Sequence, residues 1–147
     1  MGGPSSVRPP GFDRRADPGR QAKQRSWLSD RVSKLESLKE LSDNWNGYGS
    51  ARPNGTAIEA AREVLERLDE FGLKPVNVAA SAEGGIGISF RRGARHALIE
   101  CYNAGDRAGV CWEPSGPPQA WDIGRTDDEL MDAIERIHDY LSAARPG

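Results

Sequence analysis

The sequence predicts an α+β fold in which two N-terminal helices are followed by an antiparallel meander of four or five short strands and then a C-terminal helix. Apolar residues recur every three or four positions in three segments, which indicates amphipathic helices. Between the second and third of these segments, apolar and polar residues alternate, as they do in half-buried strands. The connections between the strand segments are short, and short connections join antiparallel strands.

The N-terminal segment differs in composition from the rest of the chain. Residues 1–26 hold six basic and two acidic residues, whereas residues 27–147 hold 14 basic and 20 acidic residues. The first segment also has four prolines and few large apolar groups. Such a segment cannot bury enough surface to offset the entropic cost of ordering its backbone. The sequence therefore predicts a disordered basic tail over residues 1–25 and a single α+β domain over residues 26–144.

The first helix is expected to begin at Ser26, where the apolar stripe that runs from Leu28 to Leu41 starts. It is expected to end at Asp43 and Asn44, because their polar side chains compete for backbone hydrogen bonds.

Capping signals mark the other two helices. Thr56 precedes Glu59 by three residues, and Thr126 precedes Glu129 by three residues, which is the spacing of a capping box. Gly72 follows the last apolar residue of the second helix and suits the left-handed conformation that ends many helices.

Five segments have the alternation or composition of strands, the fifth being a short edge strand. Prolines 114, 117 and 118 end the fourth segment, because proline cannot donate to a strand ladder. The segments are residues 76–78, 86–90, 95–102, 109–113 and 119–123.

The turns between these strands give an expected register. A two-residue Arg92-Gly93 turn pairs Phe90 with Arg95, and a five-residue loop over 104–108 pairs Cys101 with Cys111. Cross-strand partners lie on the same face of a sheet. The face expected to be buried carries Ile86, Ile88, Phe90, Ala97, Ile99 and Cys101.

The opposite face carries side chains that are large to leave in water. One interpretation is that a helix covers them, so that the sheet is buried on both sides. The other is that they form a binding surface, because an aromatic cluster with a charged rim is typical of interface hot spots. The candidate binding residues are Leu98, Glu100, Tyr102, Val110 and Trp112, with Arg91 and His96 at their edge.

The connector between the first two helices has a distinctive sequence, Asp43-Asn44-Trp45-Asn46-Gly47-Tyr48-Gly49-Ser50. Together with Gly84-Gly85-Ile86, Phe90 and the Ile99-Glu100 pair, it resembles a group of small bacterial proteins marked by an Asn-Trp-Asp-Gly-Tyr-Gly segment. The resemblance spans about residues 35–112. It implies family and fold, since no established activity is attached to the group. This chain departs from the pattern at Asn46, where the group has aspartate.

Two interpretations of the connector are open. In the structural one, Asn46-Gly47 forms a tight turn, and the rings of Trp45 and Tyr48 pin the loop to the helices. In the chemical one, polar side chains form a pocket that would make the protein an enzyme. The pocket residues would be Asp43, Asn44, Asn46, Tyr48 and Ser50.

The sequence predicts neither a metal site nor a cofactor, and it offers no catalytic residue. The two histidines and the two cysteines lack the spacing that links ligands of one metal ion. Glycines 84, 85 and 87 lead into a strand rather than into a helix N-terminus, so they do not form a phosphate-binding loop. Cys101 and Cys111 are expected to be buried free thiols.

Three functions follow, in order of preference. The first is a non-enzymatic binding domain that contacts an unknown protein partner, or a second copy of itself, through the candidate binding residues. The second is a nucleic-acid-binding accessory protein that uses the basic tail and a hairpin with Arg91, Arg92 and Arg95. The third is an enzyme with a pocket at the connector.

The expected setting is cytoplasmic. The longest uncharged runs are eight residues long, and a membrane-spanning helix needs about 20 apolar residues. Residues 1–10 lack the apolar stretch of a secretory signal. Two cysteines are too few for a disulfide scaffold, which favours a reducing compartment.

Overall fold

The computed structural model describes residues 18–143, with side chains described from Trp27 onward. It contains three α-helices and one five-stranded antiparallel sheet, which confirms the α+β class. A short 3-10 helix over Leu38–Glu40 follows the first helix. The α-helices are α1 (Pro18–Ser37), α2 (Gly55–Phe71) and α3 (Asp127–Ser142). The strands are β1 (Asn77–Ser81), β2 (Gly85–Arg92), β3 (Arg95–Tyr102), β4 (Arg107–Trp112) and β5 (Gln119–Ile123).

The sheet is a meander with strand order β1-β2-β3-β4-β5, and the described helices pack on one of its faces. Leu35 of α1, Leu65 of α2 and Ile134 of α3 belong to the same core cluster as Ile88 and Ile99 of the sheet. The six residues predicted to face this core are all buried. The helix-facing side of the sheet is therefore the side that the sequence predicts.

The ends of α1 differ from the prediction. The helix begins at Pro18, ahead of Ser26, so residues 18–25 of the predicted tail are helical, while residues 1–17 and the last predicted domain residue, 144, lie outside the described residues. It ends at Ser37 rather than at Asp43, because the chain tightens into the 3-10 helix and then extends at Leu41.

The predicted cap of α2 is wrong, while those of α3 and of the α2 C-terminus are confirmed. Asn54, not Thr56, caps α2: its backbone is extended and its side chain accepts a hydrogen bond from the Ala57 N–H. Thr126 forms the complete capping box with Glu129. Gly72 ends α2 at φ 94°, in the left-handed region.

The predicted register is wrong at both hairpins, although the assignment of faces is right. Arg92 pairs with Arg95, so the β2–β3 turn is Gly93-Ala94, with Gly93 at φ 58°. A type II′ turn needs a positive φ only at its first central residue, which favours glycine there. Phe90 therefore pairs with Ala97 instead of Arg95. The register shifts by an even number of residues, and an even shift leaves every side chain on its face.

The β3–β4 register separates the two cysteines that were predicted to be partners. Cys101 lies opposite Arg107, and Cys111 lies opposite Ala97. The offset of four residues is roughly 13 Å along the strands, beyond the reach of a disulfide. Both cysteines are buried free thiols. Burial raises the pKa of Cys101 to about 12 and also raises that of Cys111.

Within the described part of the chain, no helix combines the length and the apolar character needed to cross a membrane.

Candidate protein-binding face

The candidate binding residues lie together on the side of the sheet opposite the helices, and we call this side the outer face. Leu98, Glu100 and Tyr102 of β3, and Val110 and Trp112 of β4, are all partly exposed, while the residues between them along each strand are buried. The strict alternation means that the described helices cover only one side of these strands. The interpretation in which a helix covers the outer face is therefore wrong for the described part of the chain.

Aromatic and aliphatic side chains occupy the middle of the outer face. His96 and Trp112 are cross-strand partners, and their rings stack with centroids 5.1 Å apart and an interplanar angle of 9°. Leu98 and Val110 are the next pair of cross-strand partners on the same face. The predicted pairing of Cys101 with Cys111 implied that Tyr102 lies beside Val110 and Glu100 beside Trp112. Both neighbours are wrong, because the β3–β4 loop is shorter than expected. Stacking fixes the Trp112 ring, which lowers the entropy that binding would cost.

A hydrogen-bond network orders the side chains at one end of the outer face. Glu100 accepts a hydrogen bond from the Tyr102 hydroxyl at 2.9 Å and another from the Ser81 hydroxyl of β1 at 2.6 Å. Glu100 reaches Ser81 across β2, where Gly85 and Gly87 carry no side chain. Gly85 and Gly87, which do not form a phosphate-binding loop, thus allow the Glu100–Ser81 hydrogen bond to cross β2. Sequence reasoning missed Ser81 because no local pattern links it to a residue two strands away.

This end of the outer face is acidic. The pKa of Tyr102 is raised, first by desolvation of the phenol, then by its hydrogen bond to Glu100, and further by the negative charges of Glu83 and Asp106. Glu83 lies in the β1–β2 turn and Asp106 in the β3–β4 turn, and both are exposed. Three carboxylates therefore surround Tyr102.

The opposite end, at the β2–β3 turn, is basic. Arg91 lies on the outer face opposite His96, and both Arg91 and Arg92 are exposed. Arg95 points to the helix side instead: it donates to the Tyr140 carbonyl at 2.9 Å and forms an ion pair with Glu113 at 3.3 Å. The three arginines proposed as one nucleic-acid-binding group are thus divided between two faces. Arg92 and Arg95 are cross-strand partners and share the helix side, while Arg91 lies on the outer face, so strand alternation divides the group.

The connector is braced by its polar side chains. Asn44 accepts from the Gly49 N–H at 2.7 Å, Asn46 accepts from the Tyr48 N–H at 3.0 Å, and Asp43 accepts from the Arg52 N–H at 3.0 Å. Asn44 adopts the left-handed conformation at φ 62°. The acceptor oxygens assigned to a chemical pocket are therefore engaged with backbone of the same loop.

The aromatic side chains of the connector do not act as predicted. Tyr48 is 91% exposed, so it does not plug the core. Trp45 is half-buried, lies outside the core cluster and donates its indole N–H to the Ala51 carbonyl at 3.3 Å. The prediction that both rings pin the loop is wrong, because the asparagine side chains and the glycines close the turn without them. Ser50 attaches the loop to the sheet by donating to the Ala82 carbonyl at 2.7 Å.

Sequence reasoning also missed Arg107, a buried arginine on the helix side of β4. Its guanidinium donates to the carbonyls of Gly124 and Thr126 and lies 3.7 Å from a carboxylate oxygen of Glu63. It thereby fixes the segment that leads into α3. The strand alternation that buries Cys101 and Cys111 also points this residue inward, but the predicted five-residue loop placed it outside the sheet.

Two cavities among the described residues lie away from the predicted sites. A cavity of about 260 Å³ at the start of α2 is lined by Lys39, Arg52, Pro53, Asn54, Gly55 and Ile58 rather than by residues 43–50. A second, of about 240 Å³, lies between β5 and α3. Across residues 18–143, no group of three or more histidine, cysteine, aspartate or glutamate side chains is arranged to hold a metal ion.

Comparison of the chain with known proteins returns no matching family model, no matching curated protein and no matching solved structure. The resemblance to the group with the Asn-Trp-Asp-Gly-Tyr-Gly segment therefore stays a prediction.

Proposed function

We propose that this protein is a non-enzymatic binding domain that contacts another protein surface through the outer face of its sheet. The observation that carries the proposal is the one-sided packing of the sheet. The described helices cover the side with Ile88 and Ile99, while Leu98, Val110 and Trp112 remain partly exposed on the other. Apolar and aromatic side chains gathered on one open face favour contact with a partner over contact with water.

The order within the face supports the same function. His96 and Trp112 are stacked, and Glu100 holds Tyr102 and Ser81 by hydrogen bonds. Side chains that are already fixed lose little conformational entropy when a partner binds, so more of the contact energy appears as affinity. Rigid aromatic anchors with a polar rim are the usual residues of interface hot spots.

A pair of matched substitutions tests the proposal. Val110→Arg places a charge at the middle of the outer face. Val76→Arg makes the same change at a valine that immediately precedes β1 and is 53% exposed. We expect both variants to fold, as judged by thermal unfolding. We expect Val110→Arg to lose self-association and the proteins co-purified from the native host, while Val76→Arg keeps them. Equal association of the two folded variants would refute the proposal.

Nucleic acid is the second candidate ligand, because Arg91 lies in one row with the stacked His96–Trp112 pair, on which a base could stack. Electrostatic binding of this kind weakens steeply with salt. The test is retention on heparin and on single-stranded RNA, compared between the full chain, a chain that lacks residues 1–25, and Arg91→Glu. Retention that is insensitive to both changes would exclude this candidate.

A cytoplasmic setting is part of the proposal. Cys101 and Cys111 are both free thiols that face the core, which suits a reducing compartment. Localisation of the tagged full-length chain in its host tests this part.

A further inference from the structure

The outer face is electrically asymmetric along the direction of its strands. Exposed Arg91 marks the end at the β2–β3 turn, whereas Arg92, the partner of Arg95, lies on the helix side. Glu83, Glu100 and Asp106 surround Tyr102 at the other end. Between the two ends, the central positions carry uncharged side chains, among them Leu98 and Val110. The face therefore runs from basic, through apolar, to acidic.

Such a surface is complementary to itself. In a dimer with a two-fold axis, the same patch of both copies forms the interface. If the axis lies between the two faces and perpendicular to the strands, the basic end of each copy lies on the acidic end of the other. The apolar centres then meet at the axis. A heterologous partner is not needed to satisfy either the charges or the apolar side chains.

The area of the face is sufficient for such a dimer. Five strands spaced about 4.8 Å apart give a width of about 24 Å, and strands of about six residues give a length of about 20 Å. Each copy would cover roughly 500 Å², or about 1,000 Å² in total, which lies at the lower limit for a specific interface. The interface is therefore sized for a reversible dimer.

We propose that the outer face binds a second copy of this chain, with the strands of the two sheets aligned and the basic end of each copy against the acidic end of the other. This inference rests on the proposed function, since it names the partner of the same face. It requires that association weaken with added salt, because the two end contacts are electrostatic.

Paired charge reversals test the arrangement. Variant A carries Arg91→Glu, and variant B carries Glu83→Lys with Asp106→Lys. All three side chains are exposed, so both variants should fold. In a control, Glu66→Lys with Glu135→Lys reverses two exposed charges on the helices.

Each variant alone brings like charges together at both end contacts, and we expect its homodimer to be at least about tenfold weaker than the wild-type dimer in sedimentation equilibrium. In an equal mixture of A and B, each altered end meets an altered end of opposite charge, and each unaltered end meets an unaltered end. The mixture should recover the association of the wild type to within about threefold. The control variant should associate like the wild type.

Four results would overturn the inference. A wild-type chain that stays monomeric at hundreds of micromolar would remove the dimer, while the proposed function would survive if Val110→Arg still loses a host protein that Val76→Arg captures. A dimer that ignores the reversals would use another surface. Weakened variants that do not rescue each other would show that the basic end of one copy does not lie on the acidic end of the other. A dimer that is insensitive both to the charge reversals and to Val110→Arg would not use the outer face. It would refute the inference, and self-association would no longer support the proposed function.

Discussion

Trp112 is the residue at which the demands of folding and of binding differ most clearly. It stacks on His96 but lies on the outer face, whereas Trp121 lies on the helix side with its ring against Gly109 and beneath the Arg136 guanidinium, 3.7 Å away. The two tryptophans thus form a matched pair on opposite sides of one sheet.

We expect Trp112→Ala to weaken association by about 2 kcal/mol, roughly 30-fold, which is typical of a hot-spot residue. Its effect on the free energy of unfolding should fall below the roughly 3–5 kcal/mol of a buried tryptophan. Trp121→Ala should do the reverse and lower stability more than association. Thermal unfolding and sedimentation of both variants check this. Loss of stability at Trp112 with unchanged association would contradict it.

The connector offers a second comparison between residues. Tyr48→Ala should change the free energy of unfolding by less than about 0.5 kcal/mol, because the side chain is 91% exposed. Asn46→Ala should cost about 1–2 kcal/mol, since its oxygen accepts from the Tyr48 N–H and its amide donates to Ser50 at 2.8 Å. Denaturant titration of both variants measures the difference. A larger cost at Tyr48 would restore the plug interpretation.

The buried thiol of Cys101 makes stability depend on alkaline pH. Its pKa is raised to about 12 by burial, so between about pH 9 and 12 the unfolded chain loses this proton and the folded chain keeps it. The contribution to stability is therefore complete below about pH 9 and decreases as the pH rises above it. We expect Cys101→Ala to flatten the alkaline side of the stability profile measured by denaturant titration. An unchanged slope in this variant would contradict the assignment.

At the scale of elements, the contact between β2 and β3 depends on glycine. Gly85 has φ 153°, and a Cβ at this position would overlap the Cys101 carbonyl oxygen and lie 2.9 Å from the Tyr102 Cα. We expect Gly85→Ala to lower the free energy of unfolding by several kcal/mol, because the two strands would have to separate. Gly116→Ala is the matched control, since a Cβ there meets nothing within 4 Å. Similar melting temperatures for the two variants would disprove this close approach.

Elements are also the scale at which sequence reasoning succeeded and then failed. Alternation predicted which side of β2, β3 and β4 faces the core, because the side-chain period of a strand is two and survives an even shift of register. The register at the β2–β3 hairpin depends on where the two-residue turn falls. Gly93 takes its positive φ as the first central residue, before Ala94, whereas the prediction placed it second, after Arg92. The alternation of a strand does not contain that information.

Long-range contacts account for the other failures. Asn54 caps α2, and its own N–H is held by the Asn103 side chain at 2.9 Å, a residue of the β3–β4 loop. Arg95 lies on the helix side because of the strand alternation, and contacts with Tyr140 at the end of α3 hold it there. Neither contact follows from spacing along the chain. The residues of the outer face could therefore be predicted from the sequence. Their cross-strand partners and the distribution of charge along the face could not.

At the scale of the whole molecule, the fold is a sheet with the described helices on one side. An open sheet face with apolar and aromatic side chains is a liability for solubility unless a partner covers it. The acidic and basic ends of the outer face limit which partners fit, because like ends repel. The outer face is thus both the side of the sheet that the described helices leave uncovered and the surface of the proposed activity.

The most direct test of that claim is covalent footprinting of the aromatic side chains as the protein concentration rises. Trp112 and Tyr102 lie on the outer face, and Tyr48, 91% exposed on the connector, serves as the internal reference. The account predicts that modification of Trp112 and Tyr102 falls several-fold as the chain associates, while modification of Tyr48 stays constant. Trp112 and Tyr102 that remain as reactive in the associated protein as in the dilute monomer would contradict it.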